Sequence, residues 1–195
     1  MHFKCAIAGA PCSGKTWLTT ELRRLGYQVM EERSTAIIKR ELSLGNEHPT
    51  KHRDKFQREI LEQQLYLEGR LDKRRDSFIE RSLLDGLVYY RFDNIKIPKD
   101  LLEMVDGVDY DVIFFLEKVP IYQNTSVRTE SPVEADRLRR LGEEVLVEFG
   151  FQDRMIRVPF LGDLDKRVDF VTRTLDEMRA KNIGSVNQKA LERSF

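Results

Sequence analysis

The run GAPCSGKT at residues 9–16 decides the fold, because it matches the phosphate-binding pattern G-x-x-x-x-G-K-[ST] in full. In such a loop the glycines let successive backbone N–H groups point at phosphate oxygens, and the helix that follows adds the positive end of its dipole. Lys15 is then expected to reach the β- and γ-phosphates, and the Thr16 hydroxyl to bind Mg²⁺. The motif predicts a site for a nucleoside triphosphate, ATP or GTP, with Mg²⁺.

The candidate phosphate-binding residues are the whole loop and the position after it. They are Gly9, Ala10, Pro11, Cys12, Ser13, Gly14, Lys15, Thr16 and Trp17. An apolar strand is expected before the loop, over residues 3–8, and a helix after it, with Leu18 and Leu22 on one face. A strand, a glycine-bearing turn and a helix are the local structure that this motif requires.

Outward from the loop, short β-branched runs alternate with longer segments of helical period, the pattern of a parallel sheet with crossover helices. Strands are predicted at residues 3–8, 27–31, 77–80, 110–117 and 155–158. The run YDVIFFLE is the clearest of them, with the continuous apolar character of a strand buried on both faces. We therefore predict the α/β fold class.

The length of 195 residues suits one domain, which we place at residues 1–182, with a last helix over 163–180 and a loose polar tail at 183–195. The 33 basic and 33 acidic side chains balance, so the positive charge of a general nucleic-acid binder is missing. No run approaches the roughly 18 apolar residues of a membrane span. We expect no nucleic-acid partner, no integral membrane segment, no signal peptide and a cytoplasmic location.

A second acidic group is expected beside the metal, and Glu80 closes the third predicted strand in the run FIERS. This segment resembles the D/E-R-S segment of small nucleoside and nucleotide kinases. The resemblance implies a carboxylate near Mg²⁺ or the acceptor hydroxyl, and a contact of Arg81 with phosphate or substrate. Two alternatives stay open: a surface Glu-Arg pair at a strand end, and, for Asp85 in the next helix, either the same site or a solvated position.

A polar loop at about residues 120–131 follows the fourth strand and leads into a helix with the capping residues Ser131 and Glu134. Such a loop is a candidate lid, because its closure adds a cation to the transferring phosphoryl group and expels water. Arg128 is the candidate catalytic cation of this lid. The spacing of Arg137, Arg139 and Arg140 favours a solvated helix face for most of them, although Arg137 or Arg139 is able to share the role.

The runs YQNTSVRTES at 122–131 and VPFLGDLDKRVDFV at 158–171, together with the phosphate loop, carry a wider resemblance. From residue 2 to about 178 the chain resembles the AAA-like ATPase/kinase domains grouped with the ribosylnicotinamide kinase part of NadR and with the TRPL translocation defect protein. This resemblance implies a P-loop NTPase fold: a five-stranded parallel sheet with helices on both faces and an ATP or GTP site.

The same resemblance assigns further positions. It places the acidic residue after the second strand at Glu32, with Glu31 as a rival, and the base-contacting loop at Pro159 and Phe160. Two alternatives stay open: Glu32 as a cap of the helix that follows, and plain packing of Pro159 and Phe160. One departure concerns the third strand, where Glu80 stands and many relatives have aspartate, which puts the metal geometry in doubt.

Two functions fit these observations. In a nucleoside-like small-molecule kinase, Glu32 or Glu80 accepts the proton of the acceptor hydroxyl, Arg128 steadies the transition state, and a helical insert at 35–75 walls the acceptor pocket. In a nucleotide-controlled regulatory module, hydrolysis is slow and the lid changes affinity for a protein or lipid partner. The sequence contains no N-K-x-D run, the guanine signature that would favour GTP. The sequence names neither the acceptor nor the oligomeric state.

Overall fold

The computed structural model describes residues 2–119 and 131–192, with 182–192 described by their backbone only. Its central sheet has five strands: β1 (Lys4–Gly9), β2 (Gln28–Met30), β3 (Ser77–Glu80), β4 (Val112–Leu116) and β5 (Met155–Val158). Neighbouring strands pair in parallel in the order β2-β3-β1-β4-β5. The predicted five-stranded parallel sheet is confirmed.

Helices connect these strands. They are α1 (Lys15–Arg24), α2 (Ser34–Ser43), α3 (Arg53–Glu68), α4 (Leu83–Phe92), α5 (Lys99–Asp106), α6 (Pro132–Glu148) and α7 (Asp165–Glu192), with short 3₁₀ turns at Pro49–His52 and Gln152–Arg154. Parallel strands require such crossover connections, because the chain must return to the amino-terminal end of the sheet before each new strand begins.

The core lies on both faces of the sheet, because successive side chains of a strand point to opposite sides. Ala6 of β1 and Phe115 of β4 pack in one apolar cluster with residues of α4 and α6. Their neighbours Ile7 and Phe114 pack on the other face in a cluster with residues of α1 and α7. The predicted α/β arrangement, with helices on both faces, is confirmed.

The sheet order determines where a ligand binds. From β1 the chain first builds β2 and β3 on one side and then β4 and β5 on the other, so the connections diverge at the carboxyl end of β1. In open parallel sheets, ligands bind in the crevice at such a switch point. The run at residues 9–16 lies at this place, between β1 and α1.

Three helices differ from the sequence-based expectation. The periodic pattern from about Asp54 to Arg75 predicts one helix over that range, but α3 ends at Glu68, before Gly69. The short helix α5 was missed, because its eight residues are fewer than the window over which a helical period is recognised.

The last helix also differs, since its backbone continues to Glu192, past the predicted end at residue 180 and into the expected tail. No proline interrupts residues 181–192, and most of the side-chain types there are compatible with a helix. In the part of the chain that the structure describes, no helix, α7 included, is both long and apolar enough to cross a membrane. The division into a domain at 1–182 and a tail stays a prediction.

Candidate active site

The loop between β1 and α1 is built from backbone conformations with positive φ. Gly9 has φ 137°, Cys12 61° and Gly14 89°. A Cβ on Gly9 would lie 2.7 Å from the carbonyl oxygen of Leu116, so only glycine fits there. Cys12 is a non-glycine residue in the left-handed region, which is uncommon outside turns and functional loops. The loop therefore has the tight curvature that the motif predicts.

Lys15 lies along this loop, with Nζ donating to the carbonyl oxygens of Gly9 and Ala10, each at 2.8 Å. Burial lowers the pKa of Lys15, and nearby carboxylates, Asp85 foremost, oppose that shift. The ammonium thus lies at the loop, where a phosphate chain would exchange for the two carbonyl partners.

Glu80 lies next to the first turn of α1. The Thr16 hydroxyl donates to Glu80 Oε1 at 2.5 Å, and the Thr19 hydroxyl donates to Oε2 at 3.0 Å. Glu80 is only 2% exposed, and burial raises its pKa, against the two threonine hydrogen bonds. The alternative of a surface carboxylate is therefore wrong.

The Thr16–Glu80 pair fits Mg²⁺, which is usually bound by one or two protein oxygens together with substrate phosphates and water. Both groups are oxygen donors, and both lie at the edge of the cavity that the loop opens onto. Among residues 2–119 and 131–192, no group of three or more His, Cys, Asp or Glu side chains is placed to hold a metal. The nucleotide phosphates would complete the coordination.

Arg81 is the next residue after Glu80, in the turn between β3 and α4, and it is 6% exposed. Its Nη1 donates to Glu32 Oε1 at 2.7 Å, its Nη2 donates to Gln57 Oε1 at 3.3 Å, and its Cζ lies 4.1 Å from the ring centre of Tyr89. Arg81 has φ 64°, a strained conformation for a bulky residue. Strain of this kind concentrates at functional sites, where the surroundings hold it in place.

Glu32 lines the cavity, whereas its rival Glu31 does not. Burial raises the pKa of Glu32, but Arg81, the donating Ser34 hydroxyl and Lys15 outweigh it, so the pKa of Glu32 lies below its usual range. The Glu31 side chain is 60% exposed. It is bound by Arg23 on the outer surface. The geometry therefore favours Glu32 as the acidic residue of the site.

A simple helix-capping role does not explain Glu32. The residue at the N-terminal cap of α2 is Arg33, and no side chain caps that helix end by a hydrogen bond. The hydrogen-bonding partners of the Glu32 carboxylate are instead the hydroxyl of Ser34 and the guanidinium of Arg81. Its contacts are thus directed to the cavity.

Asp85 shares the cavity and is not an ordinary solvated carboxylate. It accepts hydrogen bonds from the Ser82 N–H at 2.7 Å and from the Ser82 hydroxyl at 2.8 Å, which completes a capping box at the start of α4. Burial raises the pKa of Asp85, against the attraction of Lys15. Asp85 therefore fixes the turn that carries Arg81.

The cavity extends from the phosphate loop to the helical insert, which walls its far side as the sequence predicts. The insert contributes polar, basic and apolar side chains, namely Thr35, Ile38, His48, Thr50, Arg53, Phe56 and Gln57. Two of the predicted loop residues lie outside this lining. Ala10 is buried and offers its carbonyl to Lys15, and Trp17 packs against the apolar cluster beneath α1 and α7.

Arg128 and the expected lid at 120–130 lie outside the described residues. The three arginines of α6 have partners on or beside their own helix. Arg139 donates to Asp136 and Glu143, Arg140 lies 4.0 Å from Asp136, and Arg137 lies over a ring of α4. Arg140 is exposed, as the spacing predicts, whereas Arg139 is partly buried. A share of Arg137 or Arg139 in the role of the lid cation stays a prediction.

The sequence reading missed Arg167, which is 0% exposed. Its three nitrogens donate to the carbonyl oxygens of Ser13 at 2.5 Å, Glu117 at 2.7 Å and Pro159 at 3.0 Å, and its Cζ lies 5.5 Å from the ring centre of Phe160. The run that carries the family resemblance contains this arginine. Its position on an amphipathic helix, however, gave no sign that the side chain points inward.

Solved structures with low sequence identity share this fold. The NadR protein in complex with NR has a TM-score of 0.68 at 15% identity over 90% of this chain and 50% of that chain. Thymidylate kinase from Candida albicans has a TM-score of 0.64 at 15% identity, over 93% of this chain and 92% of that chain. Deoxyadenosine kinase from M. mycoides has a TM-score of 0.61 at 16% identity, over 90% of this chain and 99% of that chain. These likenesses show the fold.

The chain spans about half the length of the NadR chain that it matches. No curated protein matches it significantly. A family described as an AAA domain matches residues 4–167, a range that includes the phosphate loop, Glu80 and Arg167. These findings confirm the expected relationship to the AAA-like P-loop domains of the NadR type. The chain belongs to this AAA domain family.

Proposed function

We propose that the chain is a Mg²⁺-dependent kinase that transfers the γ-phosphoryl group of ATP or GTP to a hydroxyl group of a small, nucleoside-like molecule. One observation carries this proposal: the Glu32–Arg81 pair shares a cavity with the phosphate loop and with the Thr16–Glu80 pair. A site that only holds a nucleotide needs no carboxylate–guanidinium pair across the cavity from its loop.

The chain's own groups account for nucleotide binding. The N–H groups of the loop and the Lys15 ammonium would bind the phosphate oxygens, and α1 would add its positive dipole end. Thr16 and Glu80 would hold Mg²⁺, which neutralises phosphate charge when it is bound. Transfer of a phosphoryl group depends mainly on such positioning and on charge stabilisation, because the transition state is loose.

Glu32 would bind the acceptor. Its lowered pKa keeps the carboxylate ionised at neutral pH, so it is able to accept a hydrogen bond from a hydroxyl and hold the oxygen in line with the γ-phosphorus. Arg81 fixes the carboxylate in place and supplies a cation at the same end of the cavity. Glu32 then takes the hydroxyl proton as the new P–O bond forms and the bond from the γ-phosphorus to the β–γ bridging oxygen breaks, which releases the nucleoside diphosphate.

The far wall fits an acceptor of mixed polarity. Ile38 and Phe56 offer apolar contact, and Thr35, Thr50 and Gln57 offer hydroxyl and amide groups. Small-molecule sites commonly combine an apolar lining with a few polar groups that fix orientation. Deoxyadenosine kinase and thymidylate kinase, which share the fold, support a nucleoside-like acceptor. The proposal includes a cytoplasmic location and no nucleic-acid partner.

The test is to incubate the protein with Mg²⁺ and γ-labelled ATP or GTP, with and without a panel of nucleosides, and to follow the label. A kinase transfers the label to one of the nucleosides faster than to water. Label that appears only as inorganic phosphate, at a slow rate that no nucleoside changes, would contradict the proposal and support a nucleotide-controlled regulatory module. The preferred triphosphate is read from the same experiment.

A further inference from the structure

We propose that Arg167 is a positioning residue of the phosphate loop: it holds the Ser13–Gly14 peptide so that the Gly14 N–H faces the bound triphosphate. The inference rests on the nucleotide site proposed above. It goes beyond that site because Arg167 lies on the opposite side of the loop and touches no ligand itself.

Arg167 joins three segments at the carboxyl ends of three strands. It stands in the first turn of α7, where its own N–H donates to the Leu164 carbonyl at 3.0 Å. Its side chain then bonds the carbonyl oxygens of Ser13, after β1, Glu117, after β4, and Pro159, after β5. The guanidinium fork thereby uses all three nitrogens on main-chain acceptors, a geometry that lysine does not reproduce.

The geometry of the Ser13–Gly14 peptide relates the hydrogen bond from Arg167 to the ligand site. The peptide bonds of the described chain are trans, and in a planar trans peptide the C=O and the following N–H point in opposite directions. Since the Ser13 carbonyl points at buried Arg167, the Gly14 N–H points away from it. Gly14 lines the cavity and Arg167 does not, and no backbone acceptor for the Gly14 N–H is found within residues 2–119 and 131–192.

The guanidinium packs closely beneath the same peptide. A Cβ on Gly14 would lie 3.5 Å from Arg167 Nη1 and 3.2 Å from Leu164 Cδ2. The peptide is therefore supported from below at the residue whose N–H faces the site. A rotation of this peptide would break the hydrogen bond from Arg167 and turn the donor away from the phosphates.

The charge of Arg167 also matters. Its hydrogen-bond acceptors in the described part of the chain are carbonyl oxygens, not carboxylates, although a buried charge usually needs a paired partner. A cation bonded to the Ser13 carbonyl polarises the peptide and makes the Gly14 N–H a stronger donor. An anion bound on the far side of the peptide would then be the charge that Arg167 complements.

The test uses inorganic tripolyphosphate with Mg²⁺, which occupies the phosphate site without a base or an acceptor. Affinity is measured by calorimetry for the parent, for Arg167→Lys and for Arg167→Met, under conditions where circular dichroism shows each to be folded. We expect Arg167→Met to weaken binding roughly tenfold to a hundredfold, the range for a lost charged hydrogen bond, and Arg167→Lys to weaken it less. Parent-like affinity in folded Arg167→Met would overturn the inference.

Arg154→Met is the control, at a half-exposed arginine. Arg154 also donates to a backbone carbonyl, that of Tyr110 at 2.9 Å, but it precedes β5, at the opposite edge of the sheet from the loop. We expect this variant to bind tripolyphosphate as the parent does. An equal loss in both variants would mean that removing any such arginine loosens the domain, and would contradict a specific role of Arg167.

A second measurement applies even where the variants fold poorly. In the parent labelled with ¹⁵N-glycine, the Gly14 amide proton is expected to move downfield when tripolyphosphate binds, as a newly formed hydrogen bond requires. An unmoved Gly14 signal at saturating tripolyphosphate would overturn the inference. Failure of phosphoryl transfer to every nucleoside would contradict the proposed kinase function but leave both of these results intact.

Discussion

The guanidinium of Arg81 donates to the carboxylate of Glu32 at 2.7 Å, so the proposed base is held in place before any substrate arrives. Arg81 is itself fixed from several directions. Its N–H donates to the Ile7 carbonyl at 3.1 Å, and its carbonyl accepts a hydrogen bond from Gln64. A residue with φ 64° persists in this way only because its surroundings determine its conformation.

Replacing Lys15 by alanine tests the phosphate loop. Within residues 2–119 and 131–192, the hydrogen-bond partners of the Lys15 ammonium are two carbonyls of its own loop, so its loss is expected to leave the core and the free energy of unfolding nearly unchanged. Triphosphate affinity is expected to fall below detection by calorimetry, while added Mg²⁺ raises the affinity of the parent protein. Unchanged nucleotide binding in a folded Lys15→Ala variant would contradict the assignment of the loop.

The pH dependence of Mg²⁺ binding tests Glu80. Because burial raises its pKa above the usual 4.5, Glu80 keeps its proton to a higher pH than an exposed glutamate does. A protonated carboxyl does not bind the ion, so the gain in ATP affinity from Mg²⁺ is expected to fall as the pH decreases, beginning above pH 4.5. The gain is measured by titrating ATP with and without Mg²⁺ between about pH 5 and pH 8.

Glu80→Gln is the control for that measurement. The amide does not titrate, so only the protonation of ATP itself remains to change the Mg²⁺ effect with pH. The parent and the variant are expected to differ most at the upper end of the range, where Glu80 is ionised, and to converge at the lower end, where it is protonated. Identical pH profiles for the two proteins would mean that Glu80 does not bind the ion.

Thiol reactivity tests the placement of the loop. Cys5 is fully buried in β1, and burial raises its pKa well above the ordinary value, whereas Cys12 lies in the loop and lines the cavity. Alkylation by iodoacetamide, followed by mass spectrometry, is expected to label Cys12 first and to slow when ATP and Mg²⁺ are present. Equal labelling of both cysteines, or no protection by nucleotide, would show that the loop is placed differently.

Arg128 is the remaining catalytic candidate, and its role stays a prediction because it lies outside the described residues. If it is a lid cation, Arg128→Ala is expected to change nucleotide affinity by only a few fold and to lower turnover by about a hundredfold or more, since it acts on charge that develops in the transition state. Arg140→Ala, an exposed arginine of α6, is the control. Equal losses of binding and turnover would make Arg128 a ground-state phosphate ligand instead.

The features that the sequence predicted are those with a local signal. The phosphate loop is a contiguous motif, and β4 is a continuous apolar run, so both are recognised from a few neighbouring residues. Glu80 was placed correctly near the loop because the carboxyl ends of all the strands in a parallel sheet lie at the same end of the sheet. The amphipathic pattern of α5 covers only eight residues, too few to be recognised.

The features that the sequence did not predict depend on contacts between distant parts of the chain. Arg167 and Ser13 are 154 residues apart, and nothing near either residue indicates that they meet. The choice between Glu32 and Glu31 depends on which way each side chain points past the end of β2, and a shift of one residue exchanges the cavity for the outer surface. Only the folded arrangement decides such questions.

Glu32→Gln tests the central claim most directly, in the transfer of γ-label from ATP to the nucleoside that the parent protein phosphorylates. The isosteric amide keeps the shape of the side chain and a hydrogen bond to the acceptor but takes no proton. Nucleotide affinity is expected to stay within a few fold, while the rate of transfer falls by roughly the 10²–10⁴ that a positioned base contributes. Glu31→Gln, at the neighbouring exposed carboxylate, is expected to transfer label at the parent rate. Transfer at the parent rate by Glu32→Gln would contradict the account.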